Sequence, residues 1–152
     1  MYGDKGNVPE QEYLIPIGES NVVHEGNDVT LVSFGKMMKV AEETFNVAKK
    51  ENISVEVIDL RSVRPIDYDS IVKSVKKTNR LVIIEEAWPL ASISSEISHH
   101  IQRFAFDYLD APVHRITCED VPFHYAPTLI KEILPSVEKA MKAIKSVTYK
   151  KN

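Results

Sequence analysis

Four short β-rich runs, each followed by a turn and a helical pattern, constrain most strongly what this chain can fold into. The runs are DVTLVSF (28–34), SVEVIDL (54–60), RLVIIEE (80–86) and PVHRIT (112–117). Strands that alternate with helices form a mostly parallel sheet with helices on both faces. A shorter run, SNVVHE (20–25), joins the next strand through a turn that is too short for a parallel crossover. We therefore expect an α/β fold with three layers, α/β/α, and a mostly parallel five-stranded sheet with one antiparallel strand.

Apolar residues at helical spacing mark the segments between the strands. We predict helices from after Gly35 to Lys50, from Tyr68 to Lys77, from Ser92 to Phe106 and from Pro135 to Ser146. The stretch 118–128 is predicted to be irregular. Asp67 is a candidate N-cap for the second helix. The predicted inner-face residues are Met38, Ala41, Phe45 and Ala48, then Ile71, Val72 and Val75, then Ile93, Ile97, Ile101 and Phe104, then Val137, Met141 and Ile144.

Length and composition fit one ordinary globular domain of 152 residues. We expect a linker or arm over residues 1–20, the domain over 21–147 and a tail over 148–152. The 19 basic and 22 acidic residues give a net charge of −3, which argues against a nucleic-acid-binding domain. The single cysteine, Cys118, excludes a disulfide scaffold and is expected to be a buried, inert thiol. No apolar run reaches the roughly 18 residues of a membrane span.

The loops after the strands carry the candidate chemistry, because ligands of open α/β sheets bind at the carboxyl ends of the strands. The first loop has a single glycine and lacks both phosphate-binding fingerprints. Arg61 and Arg64 form either an anion clamp or a loop tied by ion pairs. Glu85 and Glu86 are either an acid/base pair or one ion-paired and one solvated carboxylate. Trp88 is interpreted as a packing anchor at a domain or subunit contact.

The histidines give no metal pattern. His99 and His100 point about 100° apart on a helix, so they cannot share a metal ion well. His24 and His114 have no Cys or carboxylate partner at ligand spacing. His124, in the long loop, has the most suggestive position, and a structural or interface role is favoured. From the residues alone we assign no enzyme class and no catalytic, cofactor-binding or metal-binding residue.

From about Tyr2 to Lys145 the chain resembles the transketolase C-terminal family, in the form found in the beta subunit of pyruvate dehydrogenase. The matching stretches include YLIPIG, EGNDVTLVSFGK, VEVIDLRSVRPID, SVKKTNRLVIIEEAWP, FDYLDAPVHRIT and EDVPFHYA. LRSVRPID and FDYLDAP favour pyruvate dehydrogenase over its branched-chain and acetoin relatives. Two further hypotheses stay open: the same domain from 2-oxoisovalerate dehydrogenase, and a free-standing small-ligand-binding α/β domain.

The resemblance implies oxidative decarboxylation of pyruvate and acetyl transfer to lipoyl groups by the full enzyme. In the family, thiamine diphosphate and magnesium lie between the alpha subunit and the N-terminal domain of the beta subunit. No position here matches the family's activating glutamate or catalytic histidine. We therefore expect that this chain has no complete active site and binds no thiamine diphosphate by itself.

The resemblance also implies two kinds of contact: assembly with the alpha subunit and a second beta subunit in an α2β2 tetramer, and docking to the small basic binding domain of the dihydrolipoyl acyltransferase. Asp110, in the LDAP turn, matches the family's docking carboxylate. Its alternative role is to end a helix or cap a turn. Trp88 and His124 are weaker interface candidates. We expect no nucleic-acid or membrane partner, and a cytoplasmic location in a bacterium with the mitochondrial matrix as the alternative.

Three departures from the family pattern concern these contacts. Ser92 and Ser94 replace glycines of the family, and His124 replaces a proline. The end SVTYKKN is longer and more basic than is usual for the family, which affects any terminal contact with a basic partner.

Overall fold

A computed structural model describes residues 5–7 and 9–150. The strands are β1 (Asn21–His24), β2 (Val29–Ser33), β3 (Val55–Asp59), β4 (Leu81–Ile84) and β5 (His114–Ile116). The α-helices are α1 (Met38–Lys50), α2 (Tyr68–Thr78), α3 (Ile93–Phe104), α4 (Pro127–Ile133) and α5 (Val137–Val147). Short 3-10 turns lie at Gly35–Met37 and Phe106–Tyr108.

The five strands form one sheet in the order β1-β3-β2-β4-β5. β2 pairs in parallel with β3 and β4, and β4 pairs in parallel with β5. β1 runs antiparallel to β3, with an irregularity between Val22 and His24. The predicted three-layer fold with one antiparallel strand is therefore confirmed. Although β1 and β2 are consecutive in the chain, β3 lies between them.

Two apolar cores cover the two faces of the sheet. All residues of β2 and β4 are buried, as expected for strands packed by helices on both sides. One core joins α1 and α5 to Val29, Leu31 and Val57. The other joins α2 and α3 to Val32, Ile58 and Ile83. Burying one such Val, Leu or Ile side chain stabilises the fold by about 1.5–3 kcal/mol.

Hydroxyl and carboxylate caps fix where α2, α3 and α5 begin. Asp67 is the N-cap of α2 and accepts a hydrogen bond from the Ser70 amide at 3.1 Å, as predicted. Ser92 caps α3, and Ser136 caps α5 through the Lys139 amide at 3.2 Å. Pro135 therefore precedes the cap of α5 and lies outside the helix, contrary to the prediction.

Two further predictions about the helices were wrong. The third helix was predicted to reach Phe106 and to have Phe104 on its inner face. Instead, α3 ends at Phe104, which is 55% exposed and lies beside His100 on the outer surface. α4 lies partly within the stretch predicted to be irregular. It has Pro127 in its first turn and buries Ile133. With seven residues it is too short to show a helical period in the sequence.

The predicted arm covers residues 1–20, of which the structure describes residues 5–7 and 9–20. From residue 9 to residue 20 it has neither helix nor strand, and Tyr13, Leu14, Ile15 and Ile17 are exposed. Ser20 anchors its end, because its amide and hydroxyl both donate to Asp67 Oδ2, at 2.9 and 2.8 Å. Across the described part of the chain, no helix has the length and apolar character needed to cross a membrane.

Candidate functional site

The predicted contact residues lie at opposite ends of the sheet. Asp110 precedes β5, so it lies near the amino ends of the parallel strands. Trp88 follows β4 and His124 follows β5, so both lie beyond the carboxyl ends. The structure therefore does not bring Asp110 together with Trp88 and His124, and it offers two separate candidate surfaces.

The main chain around Asp110 is held by the end of α2. The Asp110 amide donates to the Asn79 carbonyl at 2.9 Å, and Asn79 Nδ2 donates to the Tyr108 carbonyl at 2.8 Å. Asn79 has the left-handed conformation (φ 61°) common at helix C-termini. These bonds fix the turn, while the Asp110 side chain stays 53% exposed.

Arg80 is the charged neighbour of Asp110. Its Nη2 lies 3.1 Å from Asp110 Oδ2. Its Nε donates to the Val147 carbonyl at 2.9 Å, and its Nη1 donates to the Asp28 carbonyl at 3.3 Å. The guanidinium is therefore fixed by the backbone on two sides, and it orients the carboxylate while balancing part of its charge. Sequence reasoning missed this pair because the residues are 30 positions apart.

A shallow cavity of about 300 Å³ lies beside this carboxylate. Its other lining residues are Gln102, Phe106, Leu109, Ala111 and Pro112. Phe106 is 58% exposed. A carboxylate beside an apolar depression suits a long basic side chain, which places its apolar stem on carbon atoms and its charged end on oxygen.

An exposed aromatic surface lies at the other end of the sheet. Trp88 Nε1 donates to the Val121 carbonyl at 3.1 Å, and its ring lies 6.3 Å from that of Phe123. These residues, with Asp120 and Pro122, line a shallow cavity of about 520 Å³. Leu90 and Tyr125 are exposed nearby in the chain. His124 is exposed, and no hydrogen bond or ion pair joins it to another described residue.

The two carboxylates after β4 have different surroundings. Glu86 lies 3.7 Å from Lys36 Nζ, which agrees with the expected ion pair. Glu85 is buried rather than solvated, with 1% of its surface exposed, and its Oε1 accepts hydrogen bonds from the amide and hydroxyl of Ser94 in the first turn of α3. Its Oε2 has no hydrogen-bond partner among the described residues. The two carboxylates thus have separate partners, Ser94 for Glu85 and Lys36 for Glu86, which favours the structural alternative over an acid/base pair.

The remaining candidates have structural surroundings. Within residues 5–7 and 9–150, neither Arg61 nor Arg64 forms an ion pair, so the alternative of a loop tied by ion pairs is not observed. Asp67 instead binds Ser20 and Ser70. Burial opposes its ionisation, but these hydrogen bonds outweigh burial and lower the pKa of the Asp67 carboxyl. Cys118 is buried as predicted, and burial raises the pKa of its thiol.

Two of the histidines stack on aromatic side chains. His24 stacks on Phe45 at 3.8 Å, and its Nε2 lies 2.8 Å from Glu42 Oε2, a carboxylate partner that α1 supplies and that sequence spacing did not reveal. His100 stacks on Tyr68 at 3.8 Å, and burial lowers the pKa of His100. Among the described residues, no group of three or more His, Cys, Asp or Glu side chains is placed to hold a metal ion.

Comparison with known proteins gives a family match over most of the chain. The model of the transketolase C-terminal domain family matches residues 18–140. A pyruvate dehydrogenase E1 beta subunit from Rickettsia felis is 44% identical over 149 residues, which are 98% of this chain and 46% of that protein. The mitochondrial subunit from Dictyostelium discoideum is 45% identical over 93% of this chain and 40% of its own length.

Two further matches widen this comparison. The beta subunit of an acetoin:2,6-dichlorophenolindophenol oxidoreductase from Bacillus subtilis is 44% identical over 91% of this chain and 40% of its own length. The solved structure of a split-gene transketolase, described as an inactive beta4 tetramer, has a TM-score of 0.80 and 25% identity, over 91% of this chain and 45% of that chain. The chain thus spans about half the length of the relatives it matches.

Proposed function

The chain belongs to the transketolase C-terminal domain family, and from that premise we propose that it is the assembly and docking domain of a pyruvate dehydrogenase beta subunit. The complete enzyme would carry out oxidative decarboxylation of pyruvate and transfer the acetyl group to lipoyl groups. The observation that carries the docking part is the half-exposed Asp110 carboxylate, held on a turn that backbone and side-chain contacts fix.

The proposed chemistry belongs to the full enzyme, with thiamine diphosphate and magnesium. Mg²⁺ takes oxygen ligands in a near-octahedral arrangement, commonly one or two carboxylates together with phosphate and water. The described residues provide no clustered donor set for such an ion, and both carboxylates after β4 are engaged by Ser94 and Lys36. We therefore propose that this chain alone does not bind the cofactor. Calorimetry with thiamine diphosphate and Mg²⁺ tests this proposal, and micromolar binding to this chain would overturn it.

The docking proposal names the basic binding domain of the dihydrolipoyl acyltransferase as the partner of Asp110. A carboxylate on a fixed turn loses little conformational freedom when it meets a lysine or arginine. Removing one member of a buried, hydrogen-bonded interfacial charge pair costs about 2–5 kcal/mol. Since Asp110 is half exposed, the lower end applies, and we expect Asp110→Asn to weaken binding about thirtyfold.

A neighbouring acidic residue supplies the matched control for this experiment. Asp107 is exposed on the preceding turn, so Asp107→Asn removes the same charge without touching the Arg80 contact. Surface plasmon resonance with the cognate binding domain should show a much larger effect for Asp110→Asn. Equal affinities of the two variants would remove Asp110 from the docking site.

The assembly proposal places a second beta subunit on the aromatic surface around Trp88 and Phe123. Exposed apolar surface of this kind is typical of protein contacts, and Trp is enriched where the binding energy is concentrated. A related split-gene transketolase chain is described as a beta4 tetramer, which supports contacts between copies. The alpha subunit is the further partner proposed for the α2β2 tetramer. His124 lies in the same loop as Phe123 and is included in this surface.

Sedimentation of the assembled enzyme tests the aromatic surface. We expect Trp88→Ser to shift the population toward smaller species, because the substitution removes an apolar side chain from the contact. Val22→Ser is the control, since Val22 is also partly exposed but lies on β1, at the edge of the sheet away from β4. An unchanged assembly of the Trp88 variant would exclude this surface from the contact between subunits.

Substrate choice separates the leading proposal from a second candidate, acetoin dehydrogenase. Overall identity does not distinguish them, because a pyruvate dehydrogenase and an acetoin relative are both 44% identical. The LRSVRPID and FDYLDAP stretches favour pyruvate. An assay of the complete enzyme with pyruvate, acetoin and 2-oxoisovalerate decides between these substrates. We propose a cytoplasmic location in a bacterium, with the mitochondrial matrix as the alternative; the relative from Dictyostelium discoideum is named as mitochondrial.

A further inference from the structure

The end of the chain is fastened to the turn that carries Asp110. The Tyr149 hydroxyl donates a hydrogen bond to the Asp110 carbonyl at 2.7 Å. Two residues before it, the Val147 carbonyl accepts a hydrogen bond from Arg80, the residue that pairs with the Asp110 carboxylate. The end of α5 and the residues after it therefore contact both the backbone and the charge partner of Asp110.

Tyr149 has an unusual backbone conformation for its residue type. Its φ is 56°, in the left-handed region that favours glycine because a Cβ is crowded there. The Lys150 amide donates to the Lys145 carbonyl at 3.1 Å, which closes α5 in the manner usual for glycine at this position. Glycine would end the helix at least as well, so helix termination does not explain a tyrosine at this position. The bond to Asp110 gives that side chain a role.

We infer that Tyr149 is a positioning residue for the docking carboxylate: its hydroxyl holds the Asp110 turn in the orientation that a basic partner meets. This inference rests on the proposed docking function of Asp110. Because the bond is to the backbone carbonyl, Tyr149 does not itself occupy the Asp110 carboxylate. Restricting the turn in advance lowers the conformational entropy lost on binding.

The lysine that follows Tyr149 is held away from the Asp110 turn. Lys150 lies next to Tyr149, and its Nζ donates to the Asn52 carbonyl at 2.8 Å. This bond keeps the ammonium group on the α1 side of the tail. Tyr149 therefore brings a hydroxyl to the docking turn while the adjacent cation, which would repel a basic partner, is bound at Asn52.

Tyr149→Phe tests the hydroxyl alone. Losing one hydrogen bond typically corresponds to a two- to tenfold change in an equilibrium constant, so we expect binding of the cognate acyltransferase domain to weaken by about two- to tenfold. The loss should appear in the dissociation rate, since the charges that steer association are unchanged. Hydrogen exchange of the Asp110 amide should become faster.

Tyr149→Gly separates positioning from stability. Glycine relieves the left-handed backbone, so the melting temperature should not fall, yet binding should weaken as in Tyr149→Phe. In the Asp110→Asn background, Tyr149→Phe should cause little additional loss, because the carboxylate through which it acts is gone.

The expected results separate the positioning role of Tyr149 from the docking role of Asp110. If Asp110→Asn leaves the affinity unchanged, the docking proposal fails. If Asp110→Asn weakens binding but both Tyr149 variants bind like the original chain, only the positioning role fails. The positioning role also fails if the losses of Tyr149→Phe and Asp110→Asn are fully additive.

Discussion

Lys77 offers the most direct test of how this fold tolerates a buried charge. Its ammonium group contacts two carboxylates, Glu56 on β3 and Glu25 in the loop after β1, the second at 2.7 Å. Glu56 is 3% exposed and Glu25 is 78% exposed. Although burial opposes it, hydrogen bonds to both carboxylates raise the pKa of Lys77. The ammonium thus neutralises a carboxylate that is almost completely removed from water.

We expect Lys77→Met to destabilise the domain substantially. Removing one partner of a buried ion pair costs about 3–5 kcal/mol, because a buried charge is left uncompensated. Lys77 is itself 38% exposed, so water reaches the site after the substitution, and we take about 2–3 kcal/mol. The Gly26 amide, 3.4 Å from Glu56 Oε2, is a weak remaining donor. For a chain of this length the loss corresponds to a melting temperature lower by roughly 4–12 °C.

Urea unfolding followed by circular dichroism at pH 7 measures this loss. Glu25→Gln is the matched control, because it removes the exposed partner of the same ammonium group and should have only a small effect. Adding Glu56→Gln to Lys77→Met removes the buried charge and should restore much of the stability. If Lys77→Met costs no more than Glu25→Gln, the reasoning that Glu56 requires a buried counter-ion is refuted.

Three further predictions concern packing, pH and reactivity. Gly26→Ala should destabilise the domain by several kcal/mol in urea unfolding, at roughly the scale of overpacked cores, because a Cβ there collides with the backbone of Val55 and Glu56. Because the folded state lowers the pKa of Asp67, the ionised carboxylate stabilises the fold at pH values above the ordinary pKa of 3.8. This contribution is lost as the pH falls through the lower pKa of the folded state. Asp67→Asn should therefore flatten the acid limb of a stability–pH curve, whereas an unchanged limb would contradict the assignment. Cys118 should react slowly with a thiol reagent in the native state and rapidly in urea, since burial raises its pKa; equal rates would contradict its burial.

The parts of the fold that follow from periodicity were predictable from the sequence. We identified the buried strands β2 and β4 from their continuous apolar runs. We identified the inner face of α2, at Ile71 and Val75, from apolar residues at helical spacing. The cap at Asp67 was also found, since a capping side chain and its amide are three residues apart. α4 was missed because one short helix contains too few turns to show a period.

The contacts that define the candidate sites depend on tertiary proximity, which periodicity does not encode. Lys77 and Glu56 are 21 residues apart, and Tyr149 and Asp110 are 39 apart. Asp110 itself was identified only through a family resemblance, because a carboxylate in a proline-flanked turn is common. For Glu85 and Glu86, the sequence left open an acid/base pair or one ion-paired and one solvated carboxylate, whereas the fold buries Glu85 under α3 and leaves Glu86 near Lys36.

The parallel direction of β4 and β5 has a consequence for how the two proposed contacts combine. Loops before these strands lie at one end of the sheet and loops after them at the other, so the Asp110 turn and the Trp88 surface face different directions. α3, with 12 residues and hence about 18 Å of length, connects the two ends. A contact made at Asp110 therefore does not itself occupy Trp88. If both proposals hold, the beta subunit can be assembled into the tetramer and docked on the acyltransferase at the same time, as a multienzyme complex requires. Competition between subunit assembly and docking would show that one of the two surfaces has been assigned to the wrong partner.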